Sequence, residues 1–114
     1  MRVADSNRRF HRITAKEIIY ATMTDTDSAL YRLKETYNDL KKLGIEAFEL
    51  SENRPQVGDN IEIISGYWER GYSCQIDDFV FKLKEASWTF VDSIRYSKPG
   101  CETIGGTSGS PIID

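Results

Sequence analysis

Ser108 has the clearest chemical setting in this 114-residue chain. It lies in Thr103-Ile104-Gly105-Gly106-Thr107-Ser108-Gly109-Ser110-Pro111, a serine between glycines in a run that a proline closes. A serine hydroxyl is a weak nucleophile until a base takes its proton. Gly106 and Gly109 remove side chains where the backbone must bend tightly and approach a substrate. The N–H groups of such a loop can point at one spot and hold a developing oxyanion. Two other readings compete, a plain glycine-serine turn and a phosphate-cradling loop. The phosphate loop wants a lysine after the glycines and a helix behind it. Here Pro111-Ile112-Ile113 follows, which leads into a strand.

The other chemically capable side chains are few. The single histidine is His11, in Arg9-Phe10-His11-Arg12-Ile13. It reads as an exposed residue of a basic N-terminal segment; the rival reading makes it the base of an unusual triad. Asp25 and Asp27, in Thr24-Asp25-Thr26-Asp27, read by themselves as solvated acids. Cys74 and Cys101 form no CxxC and sit in no His/Cys cluster, so neither a metal nor another cofactor is expected. They are either two unrelated buried thiols or one disulfide, and an exported home would favour the bridge.

Short β-strands must position these residues. Glu17 to Met23 and Ala29 to Leu33 are rich in β-formers and flank the acidic loop. Asn60-Ile61-Glu62-Ile63-Ile64 follows the turn signal Gly58-Asp59 and ends at Ser65-Gly66. Phe79, Phe81 and Leu83 alternate with Val80, Lys82 and Lys84. Phe90, Asp92, Ile94 and Tyr96 alternate with Val91, Ser93, Arg95 and Ser97. Both patterns predict half-buried antiparallel strands. Tyr37, Leu40 and Leu43 fit one short helix, capped by Thr36 and ended by Gly44. Trp68, Trp88, Tyr67 and Tyr72 read as core aromatics. Together these signals predict an all-β barrel or sandwich, with Pro55 to Asp59 as the internal boundary.

Composition excludes several classes. A net charge of −3 and a pI near 5.2 argue against a nucleic-acid partner. No apolar run approaches the roughly 20 residues of a membrane span, so no membrane partner is expected. Met1 to Arg12 carries positive charge without a following apolar region and does not read as a signal peptide. The compartment stays open.

Gly106-Thr107-Ser108-Gly109-Ser110-Pro111 resembles the nucleophile motif of the chymotrypsin/trypsin-like serine proteases, in its bacterial form with Ser in place of the second glycine of the pair. The resemblance implies Ser108 as nucleophile and the N–H groups of Gly106 and Ser108 as the oxyanion hole. Ser110 takes the small-residue position before proline. Asp27-Ser28-Ala29-Leu30 resembles the family's D-x-A-L strand start, which makes Asp27 the carboxylate that orients the catalytic imidazole, with Asp25 as fallback. Val57 to Tyr67 resembles the linker into the second barrel. The resemblance thus runs from about Glu17 to Asp114.

By this resemblance the fold is a partial double β-barrel, antiparallel and Greek-key. Residues 1–56 hold the end of the first barrel, from about residue 17, with three strands or fewer. Residues 57–114 start the second barrel, with four strands and the Ser108 loop. The family's T-A-x-H-type motif is missing around His11, and further strands would follow Asp114. Glu102 or Thr103 would line the specificity pocket, Glu102 facing a basic P1 side chain or solvent, Thr103 an acidic one. The expected function is endopeptidase hydrolysis of a peptide or protein substrate through an acyl-enzyme on Ser108. The chain alone is expected to be inactive for want of the histidine. The alternative is a non-catalytic pseudoprotease β-domain that binds. The family is usually secreted or periplasmic.

Overall fold

The computed structural model describes residues 1–96 and 99–114, and the chain forms two compact units, Met1–Glu52 and Asn53–Asp114. It is mostly antiparallel β with one short helix. That helix is neither long nor apolar enough to cross a membrane.

The first unit opens with β1 (Arg2–Ala4) and β2 (Phe10–Arg12), which pair antiparallel with Val3 opposite His11. This hairpin occupies the segment read as an exposed basic stretch, so strands are present ahead of residue 17, where none were expected. Strands β3 (Ala15–Thr22) and β4 (Ser28–Leu33) form a second hairpin around the acidic loop, with register shifts between Ala15 and Glu17 and between Ile18 and Tyr20. Helix α1 (Tyr37–Lys42) starts at a Thr36–Asp39 capping box, in which each side chain accepts from the other's backbone N–H. It ends as the glycine predicted. Gly44 takes φ +74°, its N–H donates to Lys41, and the Ile45 N–H donates to Leu40. Leu40 and Ile45 then meet Ile13 in a small core, with Val3 and Leu33 packed against it.

The second unit is a four-stranded half-barrel sheet in the order β7-β6-β5-β8: β5 (Asn60–Ser65), β6 (Arg70–Glu85), β7 (Trp88–Tyr96) and β8 (Ile112–Ile113). Ser97 lies outside the described residues. The Phe79–Leu83 alternation belongs to the long strand β6, which changes partner along its length. Its Arg70–Gln75 part pairs with β5, and from Ile76 onward it pairs with β7. The change falls at a register shift between Ile76 and Asp78, a bulge that lets the sheet bend. The turn at Gln56–Asp59 is part of this unit: the Gly58 N–H donates to Ile76 and the Ile76 N–H to Asp59.

Strand β5 alternates buried Ile61, Ile63 and Ser65 with exposed neighbours. Its buried side joins Tyr72, Cys74 and Ile76 of β6, and Phe79, Ile94 and Tyr96 pack on that cluster. Cys74 and Cys101 are joined as a disulfide with Cα atoms 5.6 Å apart, of the two readings the bridged one. The core does not extend along the β6–β7 hairpin: Phe81 is 83% exposed although its alternation predicted a half-buried face. Of the four aromatics read as core, Tyr72 alone is buried; Trp88, Tyr67 and Trp68 are exposed.

Candidate active site

The loop from Ile104 to Ser110 is two successive β-turns. The Thr107 N–H donates to Ile104, and the Ser110 N–H donates to Thr107. Each turn places a glycine third with positive φ, Gly106 at +94° and Gly109 at +76°, the pattern of a type II turn. The sequence supplies glycine at those positions because L side chains rarely adopt that backbone. The Thr107 hydroxyl reinforces the first turn with a 2.7 Å bond to the same Ile104 carbonyl.

Ser108 is the second residue of the second turn and is exposed. Among the described residues its hydroxyl has no hydrogen-bond partner. The turns use the N–H groups of Thr107 and Ser110, so those of Gly106 and Ser108 are left unused by either turn. Ser110 is half-buried. The chain then enters β8 beside β5: the Ile64 N–H donates to Pro111, and Ile63 pairs with Ile112. The prediction that Pro111-Ile112-Ile113 leads into a strand therefore holds.

The loop is held from the side by the β5–β6 turn. The Trp68 indole N–H donates to the Gly105 carbonyl at 3.0 Å. A Cβ on Gly106 would lie 3.1 Å from the Tyr67 ring and 3.2 Å from Trp68 Nε1, so only glycine fits there without displacement. Tyr67 and Trp68 meet edge to face, with ring centroids 4.9 Å apart. The Trp68 backbone N–H donates to the hydroxyl of buried Ser65. Trp68 thus touches the candidate nucleophile loop, a contact the sequence reading missed. Its nearest signal was an aromatic pair directly after the Ser65-Gly66 turn.

Asp27 and Asp25 lie on the β3–β4 connection of the first unit and are both exposed. Asp25 has φ +63°. Among the described residues neither carboxylate holds an imidazole. Asp27 and Ser108 belong to different units. Glu102 is exposed, and Thr103 is half-buried with its hydroxyl 3.1 Å from the Tyr96 hydroxyl.

His11 is not the exposed residue its basic neighbours suggested. Its Nε2 lies 2.9 Å from Asp5 Oδ2, with 26% of the histidine side chain exposed against 1% for the aspartate. Asp5 Oδ1 accepts from the N–H groups of Asn7 and Arg9, and Oδ2 also accepts from Arg9 Nε. The His11 hydrogen bond, and then the Arg9 N–H, hold the Asp5 carboxyl well below its ordinary value of 3.8. Asp5 was missed as a partner. The signal available was the turn-forming run Asp5-Ser6-Asn7 inside what is a hairpin loop.

The second unit contains no histidine. Among the described residues no cluster of His, Cys, Asp and Glu side chains converges as a metal site requires. No protein-family model, curated protein or solved structure gives a significant match to the chain.

Proposed function

We propose that the chain carries the nucleophile loop of a trypsin-like serine endopeptidase, with Ser108 as the attacking residue. One observation carries the reading: an exposed Ser108 on a doubly turned glycine loop whose Gly106 and Ser108 N–H groups are uncommitted. In this reading the half-barrel sheet of the second unit is the start of the family's second barrel. The Gly106 and Ser108 N–H groups receive the oxyanion, and Asp27 orients an imidazole from outside these residues. The chain alone is then a poor catalyst, because losing the base costs about as much as losing the whole triad, on the order of a million-fold.

The test supplies the missing base in solution. The intact chain is treated with a fluorophosphonate, with and without concentrated imidazole, and adducts are mapped by peptide mass spectrometry. Attack by Ser108 Oγ on phosphorus expels fluoride, and imidazole takes the hydroxyl proton. The expected result is an imidazole-dependent adduct on Ser108 in preference to Ser110, abolished by Ser108→Ala. Equal or absent modification of the two serines would overturn the nucleophile assignment. Strong labelling of Ser108 without imidazole would overturn the missing base.

A second reading, a non-catalytic β-domain that binds peptide, is favoured by the histidine. The chain's one imidazole is bonded to Asp5 through Nε2, and among the described residues it makes no bond to Asp27. That reading predicts peptide binding with no preference for Ser108 in the imidazole experiment.

A further inference from the structure

We propose that Trp68 is a positioning residue that sets the direction of the Gly106 N–H. The observation is the 3.0 Å bond from the indole N–H to the Gly105 carbonyl. That carbonyl and the Gly106 N–H belong to one peptide unit. A trans peptide is planar, with its C=O and N–H pointing opposite ways. Pinning the carbonyl onto the indole therefore aims the Gly106 N–H away from Trp68.

This peptide is also the middle one of the Ile104–Thr107 turn. Type I and type II turns differ by a flip of that middle peptide, and they require φ of opposite sign at the third residue. Gly106 at +94° is on the type II side. With glycine at both central positions the backbone itself offers little preference between the two. The indole bond exists in only one of them, so Trp68 selects it. Trp68 is itself anchored, through its backbone N–H on buried Ser65 and its ring on Tyr67. The use of the aimed N–H in acyl transfer rests on Ser108 being the nucleophile; the selection of the peptide orientation does not.

Nuclear magnetic resonance on the full 15N-labelled chain separates these. Trp68 and Trp88 are matched controls, 44% and 45% exposed, and among the described residues Trp88 Nε1 has no acceptor. The Trp68 indole proton should exchange about two- to tenfold more slowly than that of Trp88, the factor of one net hydrogen bond. Equal rates in the unaltered chain overturn the proposal with no variant needed. Trp68→Phe keeps a ring and removes the donor. It should shift the Gly106 amide resonance, leave Ile63 and Ile112 of the β5–β8 ladder unmoved, and lower imidazole-supported Ser108 labelling by about two- to tenfold. An unmoved Gly106 amide with unchanged labelling overturns the inference and leaves the nucleophile standing. An unlabelled Ser108 in the parent chain removes the nucleophile, while the indole exchange and the Gly106 shift still decide the role of Trp68.

Discussion

Asp5 Oδ2 lies 2.9 Å from His11 Nε2, across the loop that joins β1 to β2. The same carboxylate accepts from Asn7 and Arg9, so one buried group ties together three positions of that loop and strand. An ionised acceptor surrounded by donors is the favoured state of such a site, and removing it leaves those donors unpaired.

Acid should therefore loosen the first unit through Asp5. Its folded pKa is depressed, so its contribution is fully present above the unfolded value and is lost as pH falls through the folded one. Unfolding followed at Val3 and His11 should become easier progressively below about pH 4. Asp5→Asn should lower stability at neutral pH and flatten that acid dependence. An acid limb identical in the variant would show that other carboxylates set it.

The Cys74–Cys101 bridge closes a separation of 27 residues. A loop of this size is worth about 3–4 kcal/mol by chain-entropy reasoning. Unreduced protein should show no titratable thiol. Reduction should lower the unfolding free energy of the second unit by that amount in urea titrations. Two free thiols before reduction would refute the bridge.

Tyr72 is buried in the half-barrel core, and among the described residues its hydroxyl has no partner. A buried, unpaired hydroxyl costs free energy that a phenyl ring does not. Tyr72→Phe should stabilise the second unit by about 1 kcal/mol. A destabilised variant would reveal a partner for the hydroxyl.

The two loop glycines should not respond alike. Gly109→Ala meets no atom within 4 Å and carries only the backbone strain of φ +76°, about 1–2 kcal/mol. Gly106→Ala adds a 3.1 Å approach to the Tyr67 ring, so the loop or the ring must move. Thermal unfolding should rank Gly106→Ala as the more damaging, and the Trp68 indole resonance should shift only in that variant.

Local features were legible because their causes lie within a few residues. Thr36 and Asp39 cap α1 across one turn, and Gly44 ends it, with its own N–H on Lys41 and that of Ile45 on Leu40. The alternation of Ile61 and Ile63 marks the buried face of β5. The β1–β2 hairpin was missed because its strands are three residues each and its loop is tied by the Asp5 carboxylate together with backbone bonds between Asp5, Arg8 and Arg9. Phe81 was misread because alternation shows that a face is apolar and leaves open whether anything covers it.

By itself the sequence determined an antiparallel β chain, one capped helical turn, and a glycine-framed Ser108 whose turns follow from Gly106 and Gly109. Those rest on φ preferences, side-chain period and caps, all short-range. Only the tertiary structure decided that Cys74 meets Cys101, that His11 answers to Asp5 instead of Asp27, and that Trp68 reaches Gly105. Such pairings depend on where β6 bends and which strand lies beside which. No local preference encodes them, because the energy that selects them appears only once distant segments are packed together.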